Sequence, residues 1–431
     1  MKPKFQYALV DGNNFYVSCE RVFNARLHGR PVVVLSNNDG CCVARSDEAK
    51  ALGIRMAQPH FEVRDLLVRN NGAALSSNYE LYADMSRRMM TVIGQYAPEQ
   101  EVYSIDESFL RFQGFHHWDL TAHCTRLRNQ VRQWTGIPVG VGVGPTKTLA
   151  KLANRLSKRH PDFKVSGVCN LQDIAPWNLI RYLSETAVED VWGIGRHWGE
   201  KLRTLGISSA QDLRMASPEL LRSRFGVVME RTARELNGIP CIPLEDAPPP
   251  KQQIVTSRSF GHPVTNVEEL VEAAASYASR AAEKLRHEGQ AANALQVFLA
   301  TNQFNPSEPQ HHPALLIRFP SPTRDTGRLV RAACRGARRL YQRGYRYKKA
   351  GVMLLDLQAA GVSQGDLFSR ETIESDNTNR LMAALDSVNA QWGRGTLRFA
   401  AEGTKQEWRM KRQSQTPSYT TSWDALPLAL A

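Results

Sequence analysis

The stretch Glu101-Val102-Tyr103-Ser104-Ile105-Asp106-Glu107-Ser108-Phe109-Leu110 decides how the chain is read. Val102, Tyr103 and Ile105 lead into an acidic pair, and Phe109, Leu110 and Phe112 lead out of it. Two runs of β-formers around a polar pair predict a β-hairpin with Asp106 and Glu107 at its tip. Carboxylates on a rigid tip can share a hard divalent cation such as Mg²⁺, which takes oxygen ligands. A solvated turn is the plainer use of the same residues. A further carboxylate lies upstream. The apolar run Phe5 to Val10 ends in Asp11, followed by Gly12-Asn13-Asn14. Asp11 therefore falls at the C-terminal edge of a strand, where open α/β sheets put their chemistry. Taken alone it would be a turn residue or a helix cap. Three acids on strand ends of one sheet form a two-metal constellation for in-line displacement at phosphorus.

Composition bounds the partners. At 431 residues the chain exceeds one typical domain, and two to four are expected. The net charge is +13, from 55 basic and 42 acidic residues. That excess favours a polyanion, nucleic acid first and an anionic membrane surface second. No uninterrupted apolar run approaches bilayer-spanning length, and Met1 to Tyr7 lacks a long apolar segment, so no membrane partner and a cytoplasmic location are expected. The seven cysteines are scattered without a Cys-x-x-Cys pair, which disfavours zinc and a disulfide framework. His116, His117 and His123 have no Cys or acidic partner at ligand spacing and read as a surface loop and helix.

Along the chain, Arg30 to Leu35 reads as a strand, followed by the small residues Gly40, Cys41, Cys42, Ala44 and Ser46. Ser46 to Gly53 reads as a short helix ended by glycine. Leu81, Met85, Met89 and Val92 mark an amphipathic helix over 76–96. Gly140-Val-Gly-Val-Gly144 is not a P-loop, because Lys147 follows Thr146 rather than Gly. The alternation suits a strand with close backbone neighbours. A helix over 146–159 then carries Leu149, Leu152, Ala153 and Leu156 on one face and Lys147, Lys151, Arg155 and Lys158 on the other. A solvated face is the plain reading of that cationic stripe, and an anion cradle is the alternative beside a metal site. Residues 171–242 are mostly helical. Pro243 to Pro250 is an extended linker. Beyond it the order strand (252–260), helix (265–288), strand (293–301), strand (313–319), helix (326–343), strand (350–357) is a βαββαβ arrangement. Thr265 and Glu268 are expected to form a capping box. Arg331 to Lys349 holds eight Lys or Arg and no acid, with Tyr341, Tyr345 and Tyr347 interleaved, and phosphate contact is its natural use. The segment 413–431 reads as a tail.

Several of these stretches recur, in this order, in one family. Asp11-Gly-Asn-Asn-Phe15-Tyr16-Val-Ser-Cys-Glu20, Ser104-Ile105-Asp106-Glu107 and Gly140-Val-Gly-Val-Gly-Pro-Thr-Lys147-Thr-Leu-Ala-Lys151 resemble motifs of the Y-family DNA polymerases. The UmuC subgroup is the nearest resemblance, through Val33 to Cys41, Asn78 to Ser86, Asp190 to Arg196, Arg394 to Leu397 and Trp408 to Arg412. The resemblance implies an α/β and α+β multidomain chain. Its right-hand polymerase core would have a palm (1–23 and 78–170), fingers (24–77) and a helical thumb with a helix-hairpin-helix (171–242). A linker (243–251), a βαββαβ little finger (252–357) and a C-terminal extension (358–431) would follow.

The same resemblance implies roles. Asp11, Asp106 and Glu107 would be catalytic and hold Mg²⁺ with the Gly12 carbonyl. Phe15 and Tyr16 would lie under the incoming sugar, Tyr16 as steric gate. Asp47 stands where many relatives carry a Tyr, and Lys50 where they carry an Arg. Lys50 and Lys158 would meet the triphosphate. Gly193, Gly195 and Arg196, and Arg331, Arg335, Arg338, Lys348 and Lys349, would contact primer-template DNA. Gln364-Gly365-Asp366-Leu367-Phe368 resembles a β sliding clamp-binding peptide, with Gln364, Leu367 and Phe368 as its contacts and Gly365 in place of the usual Leu. The activity implied is error-prone translesion synthesis from dNTPs in the bacterial SOS response, with a processed UmuD-type homodimer and RecA as partners. The modules account for the chain, so no proofreading exonuclease domain is expected. A non-catalytic damaged-DNA-binding scaffold and a metal-dependent nuclease are the alternatives.

Overall fold

The computed structural model describes residues 5–115, 117–245, 249–361 and 376–426. The chain divides into two compact units. One comprises Met1–Ser36, Gly40–Pro248 and Ser414–Ala431, the other Asn37–Asp39 and Pro249–Gln413.

The first unit begins with β1 (Phe5–Gly12), α1 (Phe15–Phe23), β2 (Val32–Leu35), β3 (Cys42–Arg45), α2 (Asp47–Ala51), α3 (His60–Arg69), β4 (Ala73–Ser76) and α4 (Tyr79–Gly94). It continues with β5 (Glu99–Val102), β6 (Glu107–Gln113), α5 (Leu120–Thr135), β7 (Val139–Gly144), α6 (Lys147–Arg159), α7 (Pro161–Lys164) and β8 (Val168–Asn170). Five strands form one sheet in the order β5-β6-β1-β7-β8, and β3-β2-β4 form a small second sheet. Helices α8 (Pro176–Glu185), α9 (Arg196–Arg203), α10 (Ala210–Met215), α11 (Pro218–Phe225) and α12 (Val227–Leu236) follow.

Strand β1 sits at the centre of the large sheet because it is apolar on both faces: Tyr7 to Val10 are all buried. Parallel or central strands covered on both sides read as such continuous apolar runs. The alternating glycines of β7 have a packing cause. A Cβ on Gly142 would stand 1.9 Å from the Asn154 nitrogen and 2.4 Å from the Ala150 oxygen, and one on Gly144 would stand 2.9 Å from the Ala150 nitrogen. Helix α6 thus lies with its backbone against the strand. Asn154 fastens it there, donating to the Leu9 carbonyl on β1 (3.2 Å) and the Gly140 carbonyl on β7 (2.8 Å).

The expected hairpin forms, with β5 and β6 antiparallel. Its tip is shorter than the sequence indicated: Glu107 is the first residue of β6 and only Asp106 stays in the turn. The run from Tyr103 to Glu107 is tightened by Ser104, whose hydroxyl donates to the Asp106 carboxylate and accepts from the Asp106 and Glu107 nitrogens.

The second unit contains β9 (Ile254–Val264), α13 (Val267–His287), β10 (Gln290–Thr301), β11 (Ala314–Thr323), α14 (Thr326–Leu340), β12 (Tyr347–Ala359) and α15 (Asp376–Trp392). The order is the βαββαβ arrangement read from the sequence, in a sheet β11-β10-β12-β9. Two details differ. Asn266, not Thr265, caps α13 by accepting from the Glu268 nitrogen. Tyr347 is fully buried, and Tyr341 and Tyr345 pack against the same core, so these rings stabilise the unit rather than interleave with its charges. Trp408 is buried in that core too, edge-on to Tyr277.

All seven cysteines are free, and Cys19, Cys42, Cys124, Cys169 and Cys334 are buried. Among the described residues no helix is long and apolar enough to cross a membrane.

The close approach at β7 makes a direct expectation. Gly142→Ala should cost about 3 kcal/mol, because backbone atoms cannot step aside. Gly140→Ala should cost much less, since its added Cβ would meet the flexible Lys158 and Ser157 side chains at 3.0 Å. Urea denaturation of the two variants checks this, and equal losses would contradict the packing account.

Candidate active site

Register alone assembles the acidic residues. On β1 and β6, Asp11 stands directly opposite Glu107. The Gly12 nitrogen donates to the Asp106 carbonyl at 2.8 Å, which pins the hairpin turn to the end of β1. Asp11, Asp106 and Glu107 therefore lie at the same end of the large sheet, where β1 and β6 pair.

Each of their side chains has a partner. Lys158 on α6 approaches the Asp11 carboxylate at 2.6 Å. Lys151, two turns earlier, donates to both Glu107 oxygens at 2.8 and 2.9 Å. The Ser104 hydroxyl holds Asp106 at 2.8 Å. Among the described residues no group of three or more Asp, Glu, His or Cys stands close enough to hold a metal ion. The donor set nevertheless suits a hard divalent cation: three carboxylates and a carbonyl, with no sulfur or imidazole.

Asp11 feels the balance most. Burial pushes its carboxyl up to about 6, against the downward pull of Lys158, and Glu107 and Asp106 add to the rise. Asp11, Glu107, Lys151 and Lys158 line a cavity of 270 Å³, together with Thr148, Asn154, Arg155, Arg159 and Trp192.

The cationic face of α6 is not a solvated stripe. Lys147 is buried, pairs with both Glu101 oxygens (2.9 and 2.7 Å) and lies over the Phe109 ring. Arg155 pairs with Asp190. Lys147, Lys151, Arg155 and Lys158 thus each meet one carboxylate, of Glu101, Glu107, Asp190 and Asp11. The sequence showed the stripe but not these partners, which come from other elements. Glu235 on α12 was likewise not foreseen. It is fully buried and accepts from the Thr148 nitrogen at 2.9 Å, at the N-terminus of α6.

The remaining residues fall as follows. Phe15 is a core residue, 3% exposed, so of the two aromatics only Tyr16 reaches the surface. Tyr16 stacks on Tyr82, with centroids 4.4 Å apart and planes at 16°. Lys50 donates to the Asn14 side chain (2.5 Å) and to Asp47 (3.0 Å), and Asn14 in turn donates to Asp47 (3.1 Å). Asn14 adopts the left-handed conformation that brings its side chain round. Gly193 has φ 84°, as a left-handed turn requires, while Gly195 caps α9 in an extended conformation. Arg196 is exposed and pairs with Glu200. Trp192 donates to the Tyr103 hydroxyl at 3.1 Å, which ties this turn to the acidic hairpin.

In the second unit, Arg331, Arg335 and Arg338 are exposed along α14. Arg338 pairs with Glu268 at 3.1 Å. Lys348 is half-buried and donates to the Phe260 carbonyl, and Lys349 is exposed. Gln364, Leu367 and Phe368 lie outside the described residues.

With this geometry in place, known proteins supply the context. A Y-family DNA polymerase chimera of Dbh and Dpo4 matches the fold with TM-score 0.63 at 19% identity, covering 82% of this chain and 99% of that one. An insertion ternary complex of Dbh DNA polymerase matches with TM-score 0.53 at 19% identity, over the same shares. The fold is that of the Y-family DNA polymerases. Residues 10–155 match the impB/mucB/samB family, residues 251–367 its C-terminal domain, and residues 379–429 a domain of unknown function. Over 426 residues the chain is 46% identical to Protein ImpB of Salmonella typhimurium, covering 98% of this chain and 99% of that one. It is also 46% identical over 421 residues to Protein UmuC of Salmonella typhimurium strain LT2, covering 97% and 99%. The chain belongs to the impB/mucB/samB family, the UmuC-type branch of these DNA-directed DNA polymerases.

The raised Asp11 carboxyl carries a stability consequence. Its folded-state pKa lies above the unfolded value of 3.8, so the charged form weakens the fold as pH rises from about 4 through about 6. Asp11→Asn fixes the neutral form. In metal-free buffer it should melt near the parent temperature at about pH 4 and above it at about pH 8. A difference that is the same at both pH values would show an unshifted carboxyl.

Proposed function

We propose that this chain is a template-directed, error-prone translesion polymerase. It adds dNTPs to a primer 3′ end by two-metal nucleotidyl transfer in the bacterial SOS response. The observation that carries the reading is the placement of Asp11 opposite Glu107, with Asp106 pinned to Gly12, beside the lysines of α6. The family supplies the damage-response context.

Asp11, Asp106 and Glu107, with the Gly12 carbonyl, would hold Mg²⁺. When bound, the cation would supply charge neutralisation at the reacting phosphate and lower the pKa of the primer hydroxyl. The chain's own residues do the rest. Lys158 and Lys50 bind the triphosphate oxygens as point charges, Lys50 without the bidentate fork an Arg would offer. Lys151 orients Glu107 through both its oxygens. Tyr16 bears on the sugar and excludes a 2′-hydroxyl, backed by Phe15 from the core. No side chain need act as general base.

The domain assignment follows. The large sheet with its helices is the palm (1–23 and 78–170), and the small sheet with α2 and α3 the fingers (24–77). Helices α8 to α12 are the thumb (171–242). The segment 243–251 is a linker, 252–357 the little finger and 358–431 the extension. Gly193, Gly195 and Arg196 offer backbone N–H groups and a cation to a DNA phosphate. Arg331, Arg335, Arg338, Lys348 and Lys349 offer cations from the little finger. A β sliding clamp, a processed UmuD-type homodimer and RecA are the proposed protein partners.

Primer extension with a labelled template and four dNTPs tests the catalytic reading against a nuclease or a silent scaffold. Asp11→Ala and Asp106→Ala should each lower extension by at least about a thousandfold, consistent with loss of metal-supplied stabilisation, while DNA affinity persists. Extension at the parent rate in either variant rejects the assignment. A separate measurement addresses α14. Reversing Arg331, Arg335 and Arg338 to Glu should weaken binding to all primer-templates alike. It should also flatten the salt dependence by roughly 0.9 in log–log slope for each phosphate no longer neutralised. An unaltered slope places α14 away from DNA.

A further inference from the structure

The segment from Ser414 to Tyr419 is not a free tail. It lies along the first unit and is fixed by groups that lead, one by one, to Tyr16. Ser414 exchanges hydrogen bonds with Ser76 at the end of β4: the Ser76 nitrogen donates to the Ser414 carbonyl (3.1 Å) and the Ser414 nitrogen to the Ser76 hydroxyl (3.0 Å). The fully buried Asn78 uses its carboxamide oxygen to cap α4 and its amide nitrogen to donate to the Thr416 carbonyl and hydroxyl, both at 3.1 Å, and to the Pro417 carbonyl at 3.2 Å. The Thr416 hydroxyl is then free to donate to Glu20 at 3.2 Å. Tyr419 stacks on Phe23, with centroids 4.8 Å apart.

Glu20 is the junction. It is 1% exposed, and the same oxygen that accepts from Thr416 also accepts from the Tyr82 hydroxyl at 2.7 Å. Its other oxygen has no hydrogen-bond partner among the described residues. A buried carboxylate held on one oxygen by two donors depends on both. Tyr82 is in turn the ring on which Tyr16 stacks. The path Thr416, Glu20, Tyr82, Tyr16 therefore joins a segment matched by a domain of unknown function to the residue proposed to select the sugar.

We propose that residues 414–419 form a strap that sets the position of Tyr16 through Glu20 and Tyr82, and so tightens discrimination against ribonucleotides. Thr416, Glu20 and Tyr82 are positioning residues. They touch no substrate. The inference rests on the reading of Tyr16 as the steric gate.

The test is a double-mutant cycle on the full chain, reading the ratio of kcat/KM for a ribonucleotide to that for the matching deoxyribonucleotide. Thr416→Val keeps shape and loses the hydroxyl. It should raise the ratio about fivefold, the effect of roughly the one hydrogen bond to Glu20, chiefly through a lower KM for the ribonucleotide. Thr416→Ser keeps the hydroxyl and should keep the parent ratio. Tyr16→Ala should raise the ratio by itself, and adding Thr416→Val to it should raise it no further. An unchanged ratio in Thr416→Val, with Tyr16→Ala elevated, overturns the strap and leaves the gate standing. Additive effects overturn it as well, because the strap would then act elsewhere. A Tyr16→Ala variant with the parent ratio removes the gate itself, and the strap's role with it.

Discussion

Helix α6 can lie on strand β7 because the strand presents no Cβ atoms where the two cross. That approach sets the depth of the helix against the sheet, and the depth decides which of its side chains reach the carboxylate edge. Lys147, Lys151, Arg155 and Lys158 leave one face of α6 at helical spacing, and four carboxylates from β1, β5, β6 and the Val188–Asp190 turn receive them. Glu235 closes the N-terminal end of the same helix. A displacement of α6 would disturb all these pairings together, since their four cations share one helix.

The four pairs are not equivalent. Lys147 and Glu101 are enclosed, and the Glu101 carboxylate also accepts from the Glu245 nitrogen at 2.8 Å, so this pair is architectural. Removing one partner of such a pair typically costs about 3–5 kcal/mol. Lys151 and Lys158 are partly exposed and face the cavity. Their carboxylates are the ones the proposed reaction needs. One helix thus carries a fixed cation at its start and exchangeable cations further along, and the difference is burial rather than residue type.

Much of this was legible in the sequence, for physical reasons. The βαββαβ order of the second unit was read nearly strand for strand, because amphipathic periods of two and of about 3.6 alternate cleanly there. The acidic hairpin and Asp11 were legible because turn and strand-end chemistry is local. What could not be read depends on distant partners. The stripe on α6 looks the same whether water or carboxylates face it. The tyrosines after α14 sit among charges in the sequence and against the core in space. Phe15 and Tyr16 are neighbours in the chain, yet helix α1 buries the first and leaves the second only part-buried at the margin of the same core. The C-terminal strap offered no helix or strand period, since an irregular segment held by Asn78 and Glu20 owes its place to residues more than three hundred positions away.

The buried thiols carry a consequence of a different kind. Burial pushes Cys124 and Cys169 up to about 12 and raises Cys19, Cys42 and Cys334 as well. The thiolate, not the thiol, attacks peroxides and other electrophiles. At neutral pH these five sulfurs are almost wholly protonated and shielded by the cores around them. Oxidants that modify DNA bases would find little reactive thiol in these cores, which are chemically hardened against the same insults that create damaged templates.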